Sequence, residues 1–371
     1  MVTSTGLTKS ALSIALTGCS VAYGAGQLIS GYFGDKIQPK RLISIGLLTS
    51  VLMNLSIPLC TNPAQMLVVW CINGFAQAFM WPPLVKFMST MFSPEDYSRG
   101  CVRVSWGSSI GTIVIYLIAP LFIALWGWKS VFVICAAMGI LGLLLWRRSC
   151  PFIEMSVVIR QGEISSTGGR ALLPVVVLTM IAIVLQGILR DGVATWMPSY
   201  IAETYSLSNE ISILTGVVMP VFGMACHQFS VYLYNKKIKN PLLCSAALFG
   251  IGAASAVFLN LLQGGNVAIS VLLSSVLTGC MHGVNMILIC IVPPLVAKPG
   301  RVSVVSGLFN SCTYIGSAIS TYGMALVTER SGWSVTILLW LLVALAGTLL
   351  CSACVPAWKR LGHKIVQKTL K

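Results

Sequence analysis

Apolar segments of roughly 20 residues follow one another along almost the whole chain, separated by short polar breaks. A helix rises about 1.5 Å per residue and the hydrocarbon core of a bilayer is about 30 Å thick, so each segment is long enough for one crossing. Lipid offers no partner to a backbone amide, and a helix satisfies every N–H and C=O within its own segment. Outer-membrane strands would alternate apolar and polar residues, and these runs do not. The runs predict helices over 9–31, 42–60, 64–91, 101–124, 129–147, 171–204, 209–234, 241–262, 266–297, 301–327 and 333–357. The predicted fold class is therefore an all-α integral membrane protein of about 11 transmembrane helices.

Composition agrees: 56% of the 371 residues are hydrophobic and 9% are charged, against about 25% charged in a soluble domain. The net charge of +15 raises nucleic acid as a partner, but the basic residues form no stripe interleaved with aromatics, and that partner is excluded. They sort by side of the membrane instead. Lys36, Lys40 and Arg41, then Arg99 and Arg103, then Arg147, Arg148, Arg160 and Arg170, fall on one side. Lys236, Lys237 and Lys239, Lys298 and Arg301, and the tail from Lys359 to Lys371 join them. The opposite loops carry only Lys129 and Arg330, with Lys9 ahead of the first helix. The positive-inside rule puts the rich side and the C-terminus in the cytoplasm of a cell that holds the chain in its plasma or inner membrane.

Little in the sequence points to catalysis. Thirteen cysteines are scattered, and the close pair Cys351 and Cys354 lies in an apolar helix without histidines at zinc spacing, so it is read as packing. His227 and His282 sit in apolar helices with no acidic or cysteine constellation around them in the sequence. No Gly-rich phosphate loop ending in Lys-Ser/Thr occurs, and no cofactor, metal or enzymatic activity is predicted. Met1 to Ser10 lacks the basic region, short apolar core and cleavage site of a signal peptide.

An internal repeat organises the chain. Pro82-Pro83-Leu84-Val85 returns as Pro293-Pro294-Leu295-Val296, an offset of 211. Ile110-Gly111 with Gly127-Trp128 returns as Ile315-Gly316 with Gly332-Trp333, an offset of 205. The halves are thus related in parallel: residues 1–148 as an N-terminal half of about five helices, 149–170 as a cytoplasmic linker, and 171–371 as a C-terminal half of six. The counterpart of the helix at 171–204 projects to before Met1, so the first half is expected to lack its opening helix. Parallel repeats of six-helix units are a transporter arrangement, with substrate held near the midplane where the repeats meet.

The first cytoplasmic loop carries a family pattern. It reads Gly31-Tyr32-Phe33-Gly34-Asp35-Lys36-Ile37-Gln38-Pro39-Lys40-Arg41; its glycines let helices approach, and Asp35 can accept donors from a neighbouring helix end. This resembles the signature loop of the major facilitator superfamily, with Gly31, Asp35, Lys36 and Arg41 as its gating positions. The second-half counterpart Tyr234-Asn235-Lys236-Lys237 keeps only basic character. Ser20 to Gly24, Trp81-Pro82-Pro83, Val104-Ser105-Trp106, and Gly187 to Tyr200 with its Trp196-Met197-Pro198-Ser199-Tyr200 are similar to the organophosphate:phosphate antiporters. That resemblance implies two six-helix halves alternating access to a small anionic substrate, a phosphate ester exchanged for phosphate, in a lipid-embedded monomer. Within the resemblance three other readings stay open: a sugar-phosphate sensor, carriage of a non-phosphate carboxylate or polar solute, and an inactive truncated product.

Arg190 is the leading candidate site residue. A guanidinium at membrane depth costs several kcal/mol unless it meets water or a partner, and its planar fork suits phosphate or carboxylate. It also falls at the family's seventh-helix substrate arginine. Pairing with Asp191 is not expected, since adjacent helical residues face about 100° apart. Further pore positions implied by the resemblance are Tyr23, Gln27, Trp81, Lys86, Trp106, Asn285 and Tyr314, with Asn310 as another polar residue on the path. Gln27 and Ile110 stand where the family has a lysine and a histidine, which leaves Arg190 the one clear cation and weakens the expectation of a doubly charged ligand.

Overall fold

The computed structural model describes residues 9–149, 169–207, 215–298 and 300–369. Its helices are α1 (Lys9–Lys36), α2 (Pro39–Ser56), α3 (Pro63–Gln77), α4 (Trp81–Met91), α5 (Pro94–Trp126), α6 (Lys129–Ser149), α7 (Gly169–Tyr205), α8 (Val218–Tyr232), α9 (Pro241–Leu261), α10 (Val267–Asn285), α11 (Val292–Val296) and α12 (Val302–Thr369). Among the described residues nine spans are long and apolar enough to cross a membrane. The predicted linker lies outside the described residues except at Ser149, Gly169 and Arg170.

Local chemistry explains where the helices break. Each double proline lacks two N–H donors, so the preceding turn cannot stay α-helical. The run predicted over 64–91 accordingly parts into α3 and α4 around Ala78–Met80, and that over 266–297 passes through a π-helical turn, Met286–Ile291, before α11. The second repeat is equally plain in the backbone. Gly127 (φ 74°) and Gly332 (φ 77°) both take the left-handed conformation that ends a helix, and the latter divides α12 into two helices.

The described residues fall into two compact units. One takes the described parts of Met1–Phe92, Val114–Gln161 and Pro299–Tyr314; the other takes those of Ser93–Ile113, Gly162–Lys298 and Ile315–Lys371. In the first unit, α1 and α12 touch backbone to backbone. A side chain at Gly31 would meet the Ser303 carbonyl at 2.8 Å, and one at Gly307 would strike the Gln27 carbonyl. Only glycine allows that approach. In the second unit, the span Val267–Val296 buries 83% of its most apolar stretch, whereas Lys129–Ser149 of the first unit buries 6%. The former is a central helix of its unit and the latter turns leucines such as Leu141, Leu144 and Leu145 outward, as a lipid-facing helix does.

Candidate functional site

In the second unit a polar cluster interrupts three apolar helices. Arg190 lies near the middle of the span Leu173–Tyr205. Its Nε and one terminal nitrogen donate to the two carboxylate oxygens of Asp191 at 2.6 and 2.9 Å, and the arginine side chain is 16% exposed. The neighbour pairing that the helical wheel disfavours is therefore formed. The arginine stem is long enough to fold back over the helix surface, and in low dielectric two parallel charge-assisted bonds outweigh the angular mismatch.

Around this pair stand groups that sequence reading left apart. Gln186 precedes Arg190 by one turn on the same helix face, and its Nε2 donates to the Met281 carbonyl of α10 at 3.2 Å. The rings of His227 on α8 and His282 on α10 meet edge to face with centroids 5.3 Å apart, and both feel the Arg190 charge. The His282 ring rests on Gly223, where an added carbon would lie 3.2 Å from it. Asn285 follows His282 by three positions on α10, so it shares that face. Gln186 Oε1, His227 Nδ1 and Asn285 Nδ2 are buried with no protein partner. The spacing of Gln186 from Arg190 was visible in the sequence; the meeting of the histidines was not, because it depends on which helices pack together. Among the described residues no group of three or more side chains could hold a metal ion. Trp106 belongs to the same unit, and its indole N–H donates to the Met224 carbonyl at 3.0 Å, fastening α5 to α8. An open apolar groove lined by Thr215, Val218, Asn266 and Val271 lies about three turns before His227 and His282 along α8 and α10, away from this chemistry.

The first unit holds the other candidates. Tyr23 and Tyr314 stack with ring centroids 4.5 Å apart. Gln27 is fully buried with both amide atoms unpartnered, and the Trp81 indole N–H is likewise buried and unpartnered. Lys86 is engaged at the signature loop: its ammonium donates to the carbonyls of Gly34 and Asp35, both at 3.0 Å, and lies 4.0 Å from the Asp35 carboxylate. Asp35 in turn accepts from the Ser303 and Val304 amides at 3.0 and 3.1 Å, capping the start of α12. Burial pushes its carboxyl above the ordinary aspartate value, while those amides, Lys86 and Arg301 pull it back. Lys36 donates to the Tyr32 hydroxyl and lies over that ring, and Arg41 is exposed. Asn310 is buried in the same unit.

Comparison with known proteins places this architecture. The Major Facilitator Superfamily profile matches residues 1–321. The chain is 26% identical over 359 residues to a glycerol-3-phosphate transporter of Bacillus subtilis, covering 89% of this chain and 80% of that one. It is 26% identical over 145 residues to a probable hexose phosphate transport protein of Chlamydia trachomatis, a match spanning 38% of this chain and 31% of that protein. Among solved structures, the fucose:proton symporter of E. coli superposes with a TM-score of 0.72 over 93% of this chain and 90% of that one, at 14% identity. That likeness concerns the fold.

Proposed function

We propose that this chain, which belongs to the Major Facilitator Superfamily, is a secondary transporter that carries a small phosphate ester across the membrane by alternating access and exchanges it for phosphate. The observation that carries the reading is Arg190, a guanidinium in mid-span with its donors aligned on a carboxylate. A side chain that binds the Asp191 carboxylate bidentately presents the geometry a phosphoryl or carboxylate group requires, so an incoming anion competes with Asp191 for the same donors. The similarity to glycerol phosphate and hexose phosphate transporters supports phosphate over carboxylate. Asp35, Gly31 and Lys86 act at the signature loop, holding the start of α12 against α1 and α4, and Tyr23, Gln27, Trp81, Tyr314, Trp106 and Asn285 line the substrate path. The protein works as a monomer in the bilayer with its C-terminus in the cytoplasm, and its basic loops serve orientation rather than nucleic acid.

Counterflow of labelled phosphate and glycerol 3-phosphate into proteoliposomes tests this. Uptake is expected in the unsubstituted protein and a loss of about 100-fold in Arg190→Ala, since truncation removes a charged ligand and strands Asp191. Binding without flux would mark a sensor instead, and neither binding nor flux of any anion would defeat the phosphate reading.

A further inference from the structure

Two hydroxyls cross from one sequence half to the other, and each ends on a carbonyl at a double proline. Tyr97, in the first turn of α5, donates to the Cys290 carbonyl at 2.6 Å. In an unbroken α-helix that carbonyl would accept from residue 294, but Pro294 has no N–H to give. Ser303, in the first turn of α12, donates to the Pro82 carbonyl at 2.8 Å. Ser303 follows Tyr97 by 206 positions, inside the offsets of 205 to 211 that relate the repeats, so the two are close to repeat counterparts. Tyr97, Cys290 and Ser303 are all buried, and both bonds lie at helix ends that adjoin basic residues, Arg99 and Arg301. Farther from those ends the contact gives out. An added carbon at Gly111, about four turns along α5, meets nothing within 4 Å, and one at Gly18 on α1 meets Leu67 and Cys71 of its own half.

We infer that Tyr97 and Ser303 are paired latches that hold the basic-loop side shut and let go when the sequence halves rock apart there. This rests on the alternating-access reading and not on the identity of the substrate. Hydroxyl bonds suit a reversible latch. Made, each satisfies a carbonyl of a buried residue; broken, both partners meet water, so the net cost of opening stays small. The chain carries its own reporters of the opening. Cys101 follows Tyr97 by one turn on the same face, and its thiol hydrogen-bonds with the Tyr97 hydroxyl and the Cys290 thiol. Cys101 and Cys290 are buried, so alkylating them requires that side to open.

The test treats proteoliposomes of the full chain with N-ethylmaleimide and follows each cysteine by peptide mass spectrometry. Cys244, buried in α9 of the same unit, reports unfolding instead. In Tyr97→Phe, which keeps the ring, Cys101 and Cys290 are expected to react about fivefold faster with Cys244 unchanged, a shift of the size one hydrogen bond supplies. Ser303→Ala should do the same at Cys101 and Cys290 although Ser303 belongs to the other unit, because both latches bias one equilibrium. Unchanged rates in Tyr97→Phe overturn the latch, as does a rise shared by Cys244, which marks a merely structural hydroxyl. Unchanged rates at Cys101 in Ser303→Ala overturn the pairing. None of these readouts needs an anion. Faster alkylation in both variants of a protein that exchanges no anion keeps the latches and removes the proposed substrate, whereas intact counterflow with unchanged alkylation removes the latches alone.

Discussion

Residues adjacent on a helix leave its axis about 100° apart, and from spacing alone Arg190 and Asp191 do not meet. The structure joins them because burial changes the balance. In water such a pair is worth little, whereas in a low-dielectric span an unpaired guanidinium is expensive and its nearest anion wins. The pairing has a consequence for transport. If the chain exchanges anions as proposed, a bare arginine would oppose return of the empty carrier across the membrane and enforce strict exchange, whereas an arginine neutralised by Asp191 would let some empty carrier return. Asp191→Asn preserves the shape and removes the charge. Phosphate should then bind about ten- to a hundredfold more tightly, the worth of about 1.5–3 kcal/mol in a charge-assisted hydrogen bond no longer contested. Net efflux into anion-free buffer should slow relative to exchange. Both rates are measured on the same proteoliposomes, and a variant with unchanged affinity and an unchanged ratio of the two would disprove the competition.

At the level of elements, much was legible because it follows from covalent chemistry. Apolar length marked the spans, and the glycines before Trp128 and Trp333, paired by the repeat, both take the left-handed conformation. The double prolines were read as part of continuous helices; that each would break its helix was available in principle from the missing donors. Contact between helices was less legible, as the repeat itself shows. Gly111 and Gly316 are repeat mates. Yet an added carbon at Gly316 would strike the Val184 carbonyl and approach the Ile188 nitrogen of α7 to 2.8 Å, whereas at Gly111 it meets nothing within 4 Å. Identical sequence positions therefore carry unequal packing. Gly111→Ala is expected to be neutral or to stabilise by up to about 1 kcal/mol, as the backbone entropy of glycine is reduced. Gly316→Ala should destabilise by about 2 kcal/mol or more, because the obstacle is backbone, which cannot turn aside like a side chain. Thermal unfolding of the detergent-solubilised variants measures the difference, and equal midpoints would contradict the α7–α12 contact.

For the whole molecule, the sequence repeat and the compact units divide the chain differently, and the difference is physical. The repeat records recurring sequence, from which halves 1–148 and 171–371 are expected, whereas the units record contact. Residues 93–113 belong with second-half helices, where the Tyr97 hydroxyl donates to the Cys290 carbonyl at 2.6 Å and Trp106 to the Met224 carbonyl. Residues 300–314 belong with first-half helices, through the Asp35 cap on α12 and the Ser303 hydroxyl donating to the Pro82 carbonyl at 2.8 Å. Each sequence half therefore contributes part of a helix to a unit built mainly by the other. Buried carbonyls and amides that lose such partners cost about 1–3 kcal/mol each, and the glycine contact at Gly31 and Gly307 is lost with them. Neither half should then be stable alone, although the covalent link between them carries none of these contacts. Expressed separately, 1–148 and 171–371 are expected to aggregate or be degraded; co-expressed as two polypeptides, they should copurify through a tag on either one. A second half that purifies alone as a monodisperse species, with the melting temperature of the intact chain, would show that its fold does not depend on residues 93–113. The units would then have to follow the sequence halves after all.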